Sequence, residues 1–206
     1  MIIAIDGPAA TGKGTLARRI AAALGLPYLD TGLLYRAVGR LVLDAGEDPA
    51  DHAAAIRAAR ALRETELTRN DLRGPDADKA ASQVAGIPGV RAALLDYQRH
   101  YGDRHGAVLD GRDIGTIVFP HADIKLFVTA TVEARARRRH AELAQRGEMV
   151  SLDEVKADLE ARDEADRNRK AAPLRPAENA AIFDTTEMDA DTAFAKAYSL
   201  IKEKMK

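Results

Sequence analysis

Ile2-Ile3-Ala4-Ile5-Asp6-Gly7-Pro8-Ala9-Ala10-Thr11-Gly12-Lys13-Gly14-Thr15-Leu16 is the stretch that decides the fold. Four apolar residues of strand character run into a glycine loop. Leu16, Ile20 and Leu24 then recur at four-residue spacing, the stripe of a helix that Gly25 and Pro27 close. Strand, loop and helix in this order make a phosphate cradle. The glycines let successive backbone N–H groups turn toward the β- and γ-phosphates, the helix presents its positive end, and Lys13 adds a mobile point charge.

The loop departs from the usual pattern in one place. A hydroxyl residue normally follows the lysine directly, whereas here Gly14 precedes Thr15. The form Gly-x-x-x-x-Gly-Lys-Gly-Thr is associated with nucleoside monophosphate kinases, in which the hydroxyl sits one place later and metal contact runs through water. An ordinary strand-to-helix turn is the plain alternative. It is disfavoured because both flanking elements are legible.

The 206 residues suffice for one domain carrying a small insertion. A hydrophobic share of 46%, a charged share of 31% and a net charge of -1 are those of a globular protein without a global field for nucleic acid or membrane. Cysteine is absent, which excludes a disulfide framework and a thiolate zinc site and fits a reducing, cytoplasmic setting. Met1 leads straight into the first strand, and no apolar run reaches membrane-spanning length. The histidines, His52, His100, His105, His121 and His140, show no metal-ligand pairing and are expected at the surface.

Further along, short apolar runs alternate with helix-period stretches, the signature of an α/β fold with a parallel sheet. Five strands are expected, at Ile2 to Ile5, Tyr28 to Leu29, Ala107 to Leu109, Ile124 to Val128 and Ala181 to Phe183. Ser151-Leu152-Asp153-Glu154 is a capping-box pattern that starts a helix running to roughly Arg169. Between about residues 38 and 106 the pattern is helical and alanine-rich, with no convincing buried strand. It reads as an inserted lobe within a single kinase domain whose core is about 1–37 and 107–206.

Other clusters surround the loop in function. Tyr28-Leu29-Asp30-Thr31-Gly32-Leu33-Leu34-Tyr35-Arg36 resembles a strand delivering a helix cap, with Thr31 capping a helix from Gly32 and Arg36 facing the cleft. Val108-Leu109-Asp110-Gly111-Arg112-Asp113-Ile114-Gly115-Thr116 ends a strand in a carboxylate and an Arg-Asp pair. There Asp110 can order magnesium-bound water, Arg112 can pair with phosphate and Asp113 can accept a hydrogen bond from a base amino group. Arg162, Asp166 and Arg169 share one helical face by spacing, and a solvated salt-bridge face is the usual meaning of such a run. Arg135, Arg137, Arg138 and Arg139 invite a nucleic-acid reading. With no interleaved aromatics and a near-neutral chain, local pairing or contact with donor phosphates explains them better.

Together these residues resemble the bacterial cytidylate kinases of the nucleoside monophosphate kinase family. The resemblance rests on the phosphate loop, Asp30-Thr31-Gly32 with Tyr35-Arg36, Ala81-Ser82-Gln83-Val84-Ala85, Asp110 to Thr116 with Val118-Phe119-Pro120, and Arg162-Asp163 with Asp166-Arg167-Asn168-Arg169. It implies a P-loop core of five parallel strands, a CMP-binding insertion at about 38–106 and a lid near 144–151. The same resemblance makes Gly7, Pro8, Ala9, Ala10, Thr11, Gly12, Lys13, Gly14 and Thr15 the ATP site. Ser82, Arg91 and Asp113 become cytosine contacts, and Arg36, Arg112 and Arg169 ligands of the acceptor phosphate. Tyr35, Arg162 and Asp166 would hold the sugar side, with Thr31 keeping the hydroxyl that relatives supply as serine. Lys13, Arg112 and Arg169 would be catalytic, and Thr15 and Asp110 would reach Mg²⁺ through water. Leu67 to Lys79 is too short for the three-stranded insertion of many relatives, so a hairpin is expected to be trimmed or missing.

The chemistry agrees independently, because the acceptor oxygen of a nucleoside monophosphate is already anionic and needs no general base. Charge neutralisation and alignment by Lys13, Mg²⁺ and arginines are what the reaction demands. The expected activity is phosphorylation of CMP and dCMP by ATP in pyrimidine nucleotide salvage, by a monomer with no nucleic-acid or membrane partner. The alternatives are a broader UMP/CMP or other small-molecule kinase, and a nucleotide-binding switch that transfers nothing to a small acceptor.

Overall fold

Ile3, Ala4 and Ile5 have no solvent exposure, as a strand covered on both faces requires. In the computed structural model, which describes residues 1–205, they lie in β1 (Ile2–Asp6), the central strand of a five-stranded sheet. The others are β2 (Tyr28–Asp30), β3 (Ala107–Gly111), β4 (Ile124–Thr129) and β5 (Ala181–Asp184), in the order β2-β3-β1-β4-β5. β1 runs parallel to β3 and β4, and β4 parallel to β5. The register pairs Ile5 with Asp110 and Asp6 with Gly111 and Phe127, which brings the polar ends of the strands to one edge. All five expected strands form, each one or two residues longer than its apolar run. The added residues, such as Asp6, Asp110 and Asp184, still pair although they no longer read as strand by hydropathy.

Among the described residues eight α-helices complete the fold: α1 (Lys13–Leu24), α2 (Thr31–Asp44), α3 (His52–Ala61), α4 (Pro75–Ala85), α5 (Pro88–His105), α6 (Val132–Gln145), α7 (Leu152–Asn168) and α8 (Ala190–Lys204). None of the described helices is long and apolar enough to cross a membrane. The chain divides into two compact units, Met1–Tyr28 with His105 onward, and Leu29–Arg104.

In the first unit the core forms where Leu16, Ala17 and Ile20 of α1 and Ala193, Ala197 and Ile201 of α8 pack with Ile3, Ile5, Leu126 and Val128 of the sheet. α1 stops at Gly25, which adopts φ 64°, a left-handed conformation that lets Leu26 N–H bond back to Ala21 O at 2.9 Å. The capping box at the start of α7 is complete: Ser151 Oγ accepts from Glu154 N–H and the Glu154 carboxylate accepts from Ser151 N–H.

Beyond the end of β2 the second unit is built from helices, and among the described residues no strand lies between α2 and β3. Where the sequence suggested a trimmed hairpin, the chain forms a short 3₁₀ turn at Glu64–Thr68 and then enters α4. Alanines 54, 55, 59, 81 and 85 let the helices approach closely around Leu34, Val38, Val84 and Leu94. Gly39 of α2 lies so near α4 that an added Cβ would stand 2.8 Å from Ala80 Cβ. One local expectation is corrected here. Thr31 is not the cap of α2 but its buried first residue; Asp30 occupies the cap position and its side chain makes no capping bond.

Candidate active site

The chain leaves β1 through Gly7, where a Cβ would stand 2.0 Å from Val128 O, so no side chain fits between this turn and β4. Three of the loop's carbonyls are tied down. Thr11 Oγ1 donates to Pro8 O (3.3 Å), Arg135 Nη1 to Ala9 O (3.3 Å) and Thr185 Oγ1 to Thr11 O (2.9 Å). A trans peptide sets its C=O and N–H in opposite directions, so pinning these carbonyls aims the amides of Ala9, Ala10 and Gly12 the other way. α1 begins at Lys13 after Gly12, whose φ of 82° only glycine adopts without strain. Its first turn has neither a side-chain cap nor an acidic residue, so its N–H groups and positive end remain for an anion.

Lys13 Nζ lies 3.7 Å from Asp110 Oδ2 at the end of β3, and Tyr28 Oη donates to Asp110 Oδ1 at 2.7 Å. Thr15, one turn into α1, is exposed. One carboxylate and one hydroxyl beside a phosphate cradle fit Mg²⁺ as it is usually held, by few protein ligands, water and phosphate oxygens. Among the described residues no group of three or more acidic or histidine side chains gathers to bind a metal alone.

Beyond Asp110 the chain forms a turn that carries Arg112 and Asp113 and continues as a π turn at Ile114–Val118. Asp6 of β1 underlies it, one carboxylate oxygen accepting from Ile114 N–H (2.8 Å) and the other from Gly115 N–H (2.7 Å). Burial pushes the Asp6 carboxyl up to about 7, against the downward pull of those two amides. Asp113 is buried beside it and adds a repulsive charge.

Arg112, Asp166 and Arg169 come together. Arg112 Nε donates to Asp166 Oδ2 at 2.8 Å, and Arg169 Nη2 lies 3.7 Å from Asp166 Oδ1. Burial pushes the Asp166 carboxyl up, but the charges of Arg112, Arg169 and Arg162 and the Arg112 hydrogen bond outweigh it and leave the group below its ordinary value. The solvated salt-bridge face expected from spacing is thus overturned: Asp166 and Asp163 are buried, and Arg169 stands just past the last residue of α7.

Asp163 belongs to a pair that sequence reading did not assign. Arg135 of α6 forks onto it, Nη1 to Oδ1 at 3.1 Å and Nη2 to Oδ2 at 2.6 Å, with both residues only 4% exposed. The remaining donors reach Ala130 O and the phosphate-loop carbonyl of Ala9. Arg138 bonds the carbonyls of Thr185, Thr186 and Met188, and Arg139 pairs with Glu142, so local pairing does account for these arginines. The signal for Asp163 was its place on an otherwise apolar helical stripe. Asp163 follows Val155 and Leu159 at four-residue steps.

In the second unit, Arg36 Nε donates to Asp78 Oδ1 at 3.0 Å and its Nη1 lies 3.6 Å from Asp30 Oδ2. The Arg91 guanidinium stands 5.4 Å from the Tyr35 ring centroid and donates to Ala85 O at 3.2 Å, which joins these two candidates across α2 and α5. Ser82 is half-buried on α4. Four of the five histidines are exposed and His140 is half-buried.

A family model described as Cytidylate kinase matches residues 3–203. The chain belongs to the cytidylate kinase family. The cytidylate kinase of Acidiphilium cryptum (strain JF-5) is 62% identical over 98% of this chain and 96% of its own length. That of Granulibacter bethesdensis is 60% identical over 99% and 98% respectively. A solved structure of an uncharacterized protein from Eubacterium ventriosum ATCC 27560 covers 98% of both chains with a TM-score of 0.57 at 13% identity, a likeness of fold. As a cytidylate kinase family member the protein is an enzyme, a nucleotide-binding phosphotransferase.

Two outcomes follow from the buried charges of this cytidylate kinase fold. Arg135→Met strands the Asp163 carboxylate and is expected to lower the unfolding free energy by about 3–5 kcal/mol in urea titrations. Arg135→Met with Asp163→Leu should recover most of that loss. Folding raises the Asp6 pKa from 3.8 to about 7, so the stability this group contributes is full below its unfolded value and is lost as pH rises through about 7. Wild-type stability relative to Asp6→Asn should therefore decline over that window in pH-dependent melts.

Proposed function

We propose that this protein transfers the γ-phosphoryl group of ATP in line to the phosphate of CMP, and also of dCMP, forming CDP or dCDP and ADP. The observation that carries this reading is the P-loop with Lys13 at its mouth, in a chain that belongs to the cytidylate kinase family. In the same reading it is a cytoplasmic monomer of pyrimidine nucleotide salvage.

Gly7 to Thr15 take the ATP phosphates, with loop amides and the α1 terminus as fixed donors and Lys13 as a mobile one. Thr15 and Asp110 would hold Mg²⁺ through water, and the ion would supply charge neutralisation. The acceptor oxygen is already anionic, so the protein's task is to bring two anions together. Arg36, Arg112 and Arg169 neutralise and orient the acceptor phosphate, and Arg112 and Arg169 approach the task already aligned by their shared Asp166. Ser82, Arg91 and Asp113 read the cytosine, while Thr31, Tyr35, Arg162 and Asp166 hold the sugar side. Residues of about 38–106 serve as the lobe that binds the acceptor nucleotide. Closure of about 144–151, between α6 and α7, excludes water so that phosphate and not water receives the group.

Base choice follows from donors and acceptors. Cytosine presents an amino group where uracil presents a carbonyl, so a carboxylate at Asp113 attracts the first and repels the second.

Coupled ADP production with Mg-ATP and separate CMP, dCMP, UMP, AMP and GMP tests this function. Turnover led by CMP or dCMP is expected, and Lys13→Ala should lower it by about a hundred-fold or more. Nucleotide binding without acceptor-dependent turnover would overturn the reading. Asp113→Asn is expected to narrow the CMP preference over UMP by about ten-fold or more, and an unchanged ratio would remove Asp113 from base recognition.

A further inference from the structure

We infer that Asp6 is a positioning residue for the acceptor nucleotide: from the end of β1 its carboxylate holds in place the turn that carries Arg112 and Asp113. The inference rests on the reading of those two residues as CMP ligands.

The geometry isolates them between two anchors. On the near side, Asp110 and Gly111 are still in the sheet, paired with Ile5 and Asp6. On the far side, the next two amides, Ile114 N–H and Gly115 N–H, end on the two oxygens of Asp6 at 2.8 and 2.7 Å. Only Arg112 and Asp113 lie between. The backbone of Asp113 is further constrained because its carbonyl accepts from Ile117 N–H (2.9 Å) and Val118 N–H (3.2 Å) in the π turn. Two side chains that must meet a phosphate and a base thus start from a fixed stretch of main chain.

Stability alone is a poor reason for this arrangement, since a fully enclosed carboxylate is costly and two amides at a turn can be satisfied by water or a hydroxyl. What a carboxylate does that neutral groups do not is accept from two neighbouring peptides at once and fix both planes. Asp6 is also the last residue before the P-loop, so one residue joins the donor-phosphate loop through its backbone and the acceptor turn through its side chain. Gly115 belongs to the same device. An added Cβ there would lie 3.4 Å from Asp6 Oδ2 and 3.2 Å from Lys125 Cδ, which leaves room for the amide to reach Asp6 but little for a side chain.

Asp6→Asn keeps the shape and removes one acceptor, presenting an NH₂ group to one of the two amides. Steady-state kinetics with CMP and UMP, equilibrium binding of a fluorescent ATP analogue and thermal melts are measured on wild type, Asp6→Asn and Gly115→Ala. In Asp6→Asn the KM for CMP is expected to rise about ten-fold to a hundred-fold and the CMP preference over UMP to fall, while affinity for the ATP analogue stays unchanged. Gly115→Ala should shift the same quantities in the same direction by less. An unchanged KM for CMP, or equal losses toward ATP and CMP alongside a lower melting temperature, would overturn the inference and leave Asp6 a stabilising residue. If Asp6→Asn does not fold, Gly115→Ala decides by the same criteria. Wild-type protein inert toward CMP would sink the functional reading itself, an outcome distinct from active wild type with indifferent variants.

Discussion

Buried carboxylates, two at the ends of parallel strands and two on α7, are the constraint around which the first unit is built. Asp6, Asp110, Asp163 and Asp166 are at most 5% exposed, and each would be costly there without replacement of the water it has lost. Their partners dictate much of the surrounding structure. Asp6 needs the two amides of the turn after β3, and Asp110 needs the Tyr28 hydroxyl and Lys13. Asp163 requires the fork of Arg135, which aligns α6 with α7, and Asp166 requires Arg112 across to the same helix. The cations and amides of the site are where they are because anions of the protein hold them.

Such pairing changes what an incoming nucleotide meets. Lys13, Arg112 and Arg169 are already compensated by Asp110 and Asp166, so in the proposed function a phosphate would meet positive charge that is shared and not bare. The guanidinium and ammonium groups need only redirect part of their hydrogen bonding, with little loss of side-chain freedom left to incur. The arrangement also limits non-specific capture of anions, since a net charge of -1 provides no general attraction.

The layout of the fold was legible because its signals are local. Five apolar runs, the glycine loop, the Gly25 stop and the Ser151–Glu154 box each lie within a few residues, and each element formed. Strand ends were read short because hydropathy stops at Leu109 while pairing continues through Gly111. Thr31 was misread as a cap because a hydroxyl at a strand-to-helix junction fits either position, and here the helix begins one residue earlier. What stayed hidden were partnerships across long separations. Nothing in the spacing joins Arg135 to Asp163, or Asp6 to an amide more than a hundred positions away. The charge of Asp163 on an apolar helical stripe was the only trace, and it identifies a buried ion without naming its partner.

The division of the chain into one continuous and one interrupted unit bears on how it emerges from the ribosome. Residues Leu29–Arg104 contain the helical core around Leu34, Val38, Val84 and Leu94, whose members lie nearer one another in sequence than β1 does to β3. β1, by contrast, must wait for β3 and β4, and β5 joins the sheet later still. Local helical packing forms quickly and long-range parallel pairing slowly. The nascent chain can therefore settle its middle before its beginning. The apolar Ile2 to Ile5 segment stays without its sheet partners during that interval.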